Sequence, residues 1–430
     1  MTDELITLLG GREIGRVRAG VRGKLGFAYD PTWREAPDAY PLSLSMPLAA
    51  EKHGPAAIEA FLWGLLPDNE IVLERWARRF QISARNVFAL IANVGEDCAG
   101  AVQFIKPDRL AAVRGGSADE VEWLDESGVA LRLRALREDH AAWRLPRDTG
   151  QFSLAGAQPK TALLFEHGRW GIPSGRAPTT HILKPPTGQF DGHAENEHVC
   201  LGLARALGIP AASSRVMRFG EEIAIVVERY DRLRIGNEII RIHQEDICQA
   251  LGIMPAKKYQ NEGGPGVSDV VELLRTHSHV REEDVNAFID AIAFNWLIAG
   301  PDAHAKNYSL LIGGGSRVRL APLYDIASIL PYDDIDLKKV KLSMKIGGEY
   351  RLRDIGISAW RKLAREVRMD ADVLIGRIAA MAGQLPDELS TVCARAGGEG
   401  LDRPIIERLA ARLAERARAC EKMLASGASG

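Results

Sequence analysis

The chain has little that would tie it together covalently, and no run long enough to cross a bilayer. Its 430 residues include five cysteines, Cys98, Cys200, Cys248, Cys393 and Cys420, odd in number and widely spaced, with no CxxC pair. That pattern argues against a disulfide framework and against structural zinc, and fits buried thiols in a reducing cytosol. The longest near-apolar run, Ala291 to Gly300, is about half of what a transmembrane helix needs. The opening MTDELITLLG is acidic where a secretory leader is basic, so a cytoplasmic chain with no membrane partner is expected. An excess of one charge is missing too: the formal net charge is -2. Without a global field, any DNA contact has to come from a local patch or through a partner. What is present is an ordinary globular composition, 46% apolar and 26% charged, with enough length for two or three domains.

The densest chemistry lies in Asn295 to Leu311, NWLIAGPDAHAKNYSLL. An apolar segment breaks at Gly300-Pro301; Asp302, His304, Lys306 and Asn307 follow, then the strand-like run Tyr308 to Ile312. Eighteen residues beyond Asn307, just after the strand-like Val318 to Leu320, stands Asp325 in LAPLYDIAS. Phosphoryl transfer uses this set: an Asp to orient a hydroxyl and accept its proton, an Asn oxygen and a second carboxylate to hold magnesium against ATP. Protein kinases place the first Asp and the Asn five positions apart, as here, with a metal-binding Asp downstream. The same residues also suit a polar loop between two strands, with Asp302 as a turn residue.

Taken in order, residues 1 to about 108 read as a small α+β module. Glu13 to Tyr29 has the glycine-punctuated look of a hairpin, and Ile58 to Arg79 reads as two helices joined at Pro67-Asp68-Asn69. A short helix capped by Ser83 runs to Val94, and Ala101 to Ile105 is a strand. Nothing here carries chemistry by spacing, so a helper or interaction role is the default. Residues 106 to 150 form a connector, with a surface loop at Val113 to Glu120 and an amphipathic helix at Val129 to Trp143.

Phe152 to Leu164, FSLAGAQPKTALL, is a small-residue loop ahead of a strand at Ala162 to Phe165. Gly and Ala let backbone N–H groups approach phosphate oxygens, although the loop is neither GxGxxG nor a P-loop and a plain hairpin turn also fits. THILKP (Thr180 to Pro185) ends an apolar strand on Lys184, a position for a phosphate-pairing lysine or a snorkelling surface one. Glu195-Asn196-Glu197 opens a helix that stops at Gly208; Glu197 is placed to meet Lys184, or simply favours the helix N-terminus. Ile223 to Tyr230, IAIVVERY, is a buried-type strand whose exit, Glu228 to Tyr230, suits an adenine-reading hinge. Beyond Leu233 the pattern turns helical: Gln244 to Gly252, Val267 to Leu274, Glu282 to Leu297, Ile355 to Met369, Ala371 to Ala382 and Arg403 to Leu424, with a turn cluster at Asn261 to Gly266. The arginines at 361, 365 and 368 with Lys362, and those at 408, 412, 416 and 418, read as solvated helix faces before they read as phosphate sites.

Small-residue loop, strand Lys, helix Glu, hinge, helices, Asp-x4-Asn and Asp occur in the order of a two-lobed kinase. FSLAGAQPKTALL, PTTHILKPP, ENEHVCLGLARALGI, VVERYDR, HQEDICQALG, KYQNEGGPG, NWLIAGPDAHAKNYSLL and LAPLYDIAS together resemble the HipA-type serine/threonine kinase toxins of bacterial type II toxin–antitoxin systems. The resemblance runs from Phe152 to Ser328, and residues 1 to 108 are similar to that family's N-terminal subdomain. It implies an α+β fold: a two-lobed protein-kinase-like body with an extra N-terminal α+β subdomain (1–108), a β-rich small lobe (109–235) and an all-α C-terminal lobe (236–430). It implies Asp302 as catalytic base with His304 near the transferring phosphate, and magnesium on Asn307 and Asp325. ATP would lie against Ala155, Gly156, Ala157, Gln158, Pro159, Lys160, Lys184, Glu228, Arg229, Tyr230, His304, Ala305, Lys306, Asn307, Tyr324 and Asp325. Ser153 would be the autophosphorylated serine. The implied partners are a HipB-type helix-turn-helix antitoxin, operator DNA through that antitoxin, and a protein substrate of the aminoacyl-tRNA synthetase class. Pro159, where the family commonly has an acidic residue, and Pro185-Pro186 after Lys184 depart from the pattern, as does the chain beyond about Tyr332, where Arg365 and Arg368 are the candidates for DNA contact.

Two other functions use the same residues. A small-molecule kinase of the aminoglycoside phosphotransferase type shares the base and metal groups, but has no use for Ser153 or the N-terminal module. A catalytically idle co-repressor would not need the complete catalytic set.

Overall fold

The structure is a computed structural model that describes residues 3–20, 23–115, 121–144, 152–174, 177–186, 192–399, 401 and 403–426. The chain separates into two compact units: Met1–Pro185 with Met217–Ala256 and Ser309–Val318, and Pro186–Val216 with Lys257–Tyr308 and Arg319–Gly430. Among the described residues, no helix is long and apolar enough to cross a membrane.

The first unit opens with an antiparallel sheet in the order Lys52–His53, Leu25–Tyr29, Arg12–Ala19, Asp3–Leu9, Val102–Ile105. One face is apolar, and Leu5, Leu9, Val17 and Phe27 pack on Phe61 and Leu62 of helix Pro55–Gly64 and on Leu90 and Ile91 of helix Val87–Val94. As expected, the 58–79 segment is two helices, Pro55–Gly64 and Glu70–Phe80; Asn69 caps the second by accepting from the N–H groups of Ile71 and Val72. The cap of the next helix is Asn86, not Ser83, whose hydroxyl serves a turn before it. Of the loop expected at 113–120, residues to 115 end the helix Leu110–Gly115 and the rest lie outside the described residues.

A second antiparallel sheet carries, in order, Glu222–Glu228, His181–Lys184, Thr161–Glu166, Arg169–Pro173 and Val121–Leu124. Val129 and Leu133 of helix Glu126–Glu138 cover it, packing with Leu163, Trp170, Leu183 and Val226. The helix expected over 244–252 is mostly something else. His243–Asp246 is a strand paired with Ser309–Gly313, and only Ile247–Ala250 is helical. Asp246 sets the boundary through a capping box: its carboxylate accepts from Gln249 N (2.9 Å), while its own N–H donates to Gln249 Oε1 (2.9 Å).

The second unit is mainly helical: His193–Ala206, Val267–His277, Arg281–Leu297, Ile357–Glu366, Ala371–Gly398 and Arg403–Ser426. Helix 371–398 outruns its expected end by 16 residues, 382 to 398, and passes through Pro386. A proline inside a helix costs ~3 kcal/mol or more, but Leu385 and Leu389 are buried where this helix packs on Arg403–Ser426 and His193–Ala206. The arginine face of the last helix is partly internal: Arg416 donates to the carbonyls of Trp296 (2.8 Å) and Leu297 (3.0 Å), closing the C-terminus of helix Arg281–Leu297. This unit also holds an unforeseen ribbon, Lys341–Ile346 with Glu349–Arg351; from Leu352 onward the described chain is helical.

Glu245 lies on the buried face of strand His243–Asp246, accepting from Leu44 N at 2.8 Å, and burial pushes its carboxyl up to about 8. Its unfolded value is 4.5. A raised folded value means that the stabilisation is complete below about 4.5 and is lost as pH rises through about 8. Glu245→Gln is therefore expected to flatten the decline in melting temperature between pH 6 and pH 9. An equally steep decline in the variant would show that Glu245 does not set it.

Candidate active site

In the second unit the helix Arg281–Leu297 ends on Ile298, Ala299 takes a left-handed φ of 52°, and Gly300 N donates to Asn295 O (2.8 Å). A β-carbon at Gly300 would lie 2.8 Å from Asn295 Oδ1, so only glycine turns here without displacing that side chain. The loop then closes on itself. His304 N donates to Asp302 O (2.9 Å), Asn307 N to His304 O (2.9 Å), and Asn307 Nδ2 to Asp302 O (2.6 Å). Since the acceptor is a carbonyl, the amide nitrogen of Asn307 must be the donor, and its oxygen is the atom not used in this bond.

Asp302 has a carboxylate 67% exposed, open to solvent. Its Oδ1 accepts from Tyr259 Oη (3.0 Å) and lies 3.9 Å from Nε2 of the buried His304. The rings of Tyr259 and His304 meet edge to face at 5.0 Å. Tyr324 Oη donates to Lys306 O (2.7 Å), fastening the segment that bears Asp325, beyond strand Arg317–Leu320, to the loop that bears Asn307. Asp325 itself adopts a left-handed backbone, φ 58°, uncommon for a residue other than glycine. Asp302, Asn307 and Asp325 are thereby brought to one hydrogen-bonded locale, with His304, Ala305 and Lys306 on the turn between them.

Three residues that hold this locale were not foreseen as parts of it. Asn196 brackets Ser328 on both sides, Nδ2 donating to Ser328 O (2.7 Å) and Ser328 N to Asn196 Oδ1 (3.0 Å). Ser328 Oγ donates to Ile298 O (2.6 Å), and Ser343 donates to Pro301 O from both its N–H (3.1 Å) and its Oγ (2.7 Å). No local pattern flags them: Asn196 reads as a helix-opening residue, and its partner lies 132 positions away.

The remaining candidates belong to the first unit. Ser153 is buried, its Oγ donating to Leu65 O (2.7 Å) and its N–H to Asp97 O (2.9 Å). Gly156, at φ 99°, accepts from Asp68 N (3.0 Å), and the Lys160 ammonium donates to Ala155 O (2.7 Å), so Ala155 to Lys160 is a closed turn. It leads into Thr161–Glu166, where Thr161 pairs with Leu183, next to Lys184. Glu228 pairs with His181 at the other end of the same short strand. Lys184 and the register partner of Glu228 thus stand three positions apart on one strand, about 10 Å at ~3.4 Å per residue. Arg229 is committed elsewhere: its guanidinium donates to Asp231 (2.9 Å), Thr179 Oγ1 (2.8 Å) and Cys98 O (2.8 Å). Tyr230 donates to Gln244 Oε1. Burial resists ionisation of Asp97, yet Arg241, Arg232 and Arg229 outweigh it and hold the carboxyl far below the usual range. Glu197 is buried on helix His193–Ala206 of the second unit.

A family model described as the HipA-like C-terminal domain matches residues 152–389, more than half of the chain, and one described as the HipA N-terminal domain matches residues 5–105. The chain belongs to the HipA family. Among HipA relatives, the Sinorhizobium fredii protein Y4mE is 35% identical over 415 residues, covering 95% of this chain and 96% of its own. The serine/threonine-protein kinase toxin HipA of Shewanella oneidensis is 30% identical over 381 residues, covering 85% of this chain and 83% of its own. A chain of the solved complex of the Shewanella oneidensis MR-1 toxin–antitoxin system HipA, HipB and its operator DNA superposes with a TM-score of 0.83 at 24% identity, over 98% of each chain. The HipA-type α+β fold with a helical C-terminal region is therefore the architecture of this chain.

Asn196→Ala removes both bonds to Ser328 and leaves a buried carbonyl and amide unmatched, which costs ~1–3 kcal/mol each. A urea denaturation midpoint lowered accordingly is expected; a midpoint equal to wild type would mean that the bracket is not needed.

Proposed function

We propose that this HipA-family chain is an ATP-dependent serine/threonine-protein kinase, the toxin of a toxin–antitoxin pair. The observation that carries the reading is the bond from Asn307 Nδ2 to Asp302 O. It aims an amide oxygen outward beside an exposed carboxylate, as metal binding next to a hydroxyl-accepting base requires. The S. oneidensis relative, a protein named as a serine/threonine-protein kinase toxin, supports the same class.

In this reading Asp302 orients the acceptor hydroxyl and takes its proton, while Tyr259 holds the carboxylate in place. His304 approaches the phosphate in transfer. Asn307 and Asp325 would hold magnesium, which when bound neutralises phosphate oxygens. The donor set fits: one amide oxygen and one carboxylate suffice for an ion that takes its other ligands from phosphate and water. Among the described residues, no cluster of three or more His, Cys, Asp or Glu forms a denser cage. Ala305, Lys306 and Tyr324 belong to the same ATP-facing loop. In the first unit, Ala155, Gly156, Ala157, Gln158, Pro159, Lys160 and Lys184 are assigned to the phosphates and Glu228, Arg229 and Tyr230 to the adenine, Arg229 through its backbone only. The protein substrate is of the aminoacyl-tRNA synthetase class. The partners are a HipB-type antitoxin and, through it, operator DNA, where the pair represses its own operon. The small-molecule alternative loses ground to a buried, individually gripped serine beside the assigned phosphate loop, and the idle co-repressor to the complete set of candidate catalytic residues.

Incubation with labelled ATP and magnesium, with and without a lysate, tests the class. Label on Ser153 and on one large protein is expected; label on metabolites alone would favour a small-molecule kinase, and none at all an idle co-repressor. Asp302→Asn should keep the fold and lower transfer by on the order of 10²–10⁴-fold; full activity in that variant would remove Asp302 from the role of base.

Ser153 is the assigned self-modification site. Its Oγ must leave Leu65 O before it can accept a phosphate, and the product adds ~-1.5 to -2 charge opposite a carbonyl and near the nucleotide's own phosphates. The loop should then quit its closed turn. Ser153→Asp, an acceptor facing an acceptor, is expected to bind ATP more weakly in a calorimetric titration; unchanged affinity would overturn this switch.

A further inference from the structure

The second unit contains a cavity of about 340 Å³ against the exposed face of Asp302, lined also by Tyr259, Asn261, Lys341, Ser343 and Tyr350. None of the expected ATP-binding residues lines it; of the candidate site residues only Asp302, the proposed base, does. Its size is at the small end of ligand pockets, ~300–1,000 Å³, so it admits side chains rather than a folded surface. The wall opposite the base is the ribbon Lys341–Ile346/Glu349–Arg351, which two features hold in register with the catalytic loop. Ser343 donates twice to Pro301 O, the carbonyl just before Asp302, and Lys345 N donates to Gln260 Oε1 (2.7 Å), next to Tyr259.

Lys341 makes this cavity more than a gap. It is exposed, and among the described residues no carboxylate pairs with it. Its register partner across the ribbon is Arg351, also exposed. Like charges at opposed positions of an antiparallel pair repel and destabilise it. The neighbouring lysine of the strand, Lys345, is already seated 5.0 Å from the Tyr350 ring. The cavity therefore joins a carboxylate suited to a hydroxyl proton with a cation that no carboxylate among the described residues neutralises.

We infer that this cavity is the acceptor subsite, and that Lys341 selects a polypeptide segment with an acidic residue close to the phosphorylated serine or threonine. The acceptor hydroxyl meets Asp302, a flanking Asp or Glu carboxylate meets the Lys341 ammonium with Arg351 adding to the field, and Asn261 and Tyr350 line the path between. A charge-assisted bond of this kind discriminates by roughly tenfold over a neutral side chain. The inference rests on the kinase reading of Asp302 and adds a substrate preference to it.

The test uses the full chain with magnesium and ATP on a peptide library prepared from a digested, dephosphorylated bacterial lysate, with phosphosites mapped by mass spectrometry. Wild type is expected to enrich Asp or Glu at one fixed position flanking the acceptor. With a synthetic peptide of the enriched sequence, Lys341→Met should raise KM by roughly tenfold with a smaller change in kcat, and Lys341→Glu should shift the enriched position from acidic to basic. An exposed lysine leaves folding intact, which the melting temperature of both variants checks. Sites without a flanking preference in wild type, or an acidic preference that survives Lys341→Glu, would overturn the subsite. A wild-type chain that labels no acceptor, itself included, would instead fell the kinase reading on which the subsite rests.

Discussion

The side-chain amide of Asn307, donating to the backbone carbonyl of Asp302, is the constraint on which the candidate site depends. It turns a five-residue separation into a closed ring and fixes the side chain's orientation at the same time, with the amide nitrogen committed to the carbonyl. Around it the loop is fastened from several directions by bonds to buried carbonyls, from Ser328 to Ile298, from Tyr324 to Lys306 and from Ser343 to Pro301. Each is worth ~1 kcal/mol net, but an unmade one leaves a buried carbonyl without a donor, which costs more. The result is a polar scaffold that holds geometry in place, with the apolar core of helix Arg281–Leu297 behind it.

The first unit is organised on a different interaction. Asp97 and Asp231 sit among Arg229, Arg232 and Arg241, all with buried side chains, and this cluster ties residues 97–100 of the N-terminal module to the exit of strand Glu222–Glu228. Burial opposes the charge on each acid, and the paired guanidiniums override it; Asp231 is held down at about 2. Ions packed this way add little net stability as a set, but removing one member leaves an uncompensated buried charge. The same module grips residues 153–156 through Leu65, Asp68 and Asp97, so it holds the segment that carries the proposed switch serine.

Much of this was legible along the chain. The paired helices at 58–79, the strand ending on Lys184, the strand into Glu228 and the long helix into Gly300 follow from apolar periodicity and from Pro and Gly punctuation. Asp302, Asn307 and Asp325 stood out as candidates because phosphoryl transfer restricts both residue type and order. The misreadings share a cause. His243–Asp246 became a strand because Ser309–Gly313 pairs with it, and Pro386 stayed helical because two other helices bury its neighbours; neither partner is visible locally.

The sequence by itself determined the residue types and their order, and with them the family and the chemistry the loops can carry. Only the tertiary structure decided which polar groups meet: that Asn196 brackets Ser328, that Arg229 turns to Asp231, that Ser153 is gripped by Leu65, and that the 341–351 ribbon walls a cavity at Asp302. The physical reason is that periodicity and punctuation are short-range signals, whereas a hydrogen bond between residues a hundred positions apart has no local signature and exists only once the backbone has delivered both partners to within 3 Å or so.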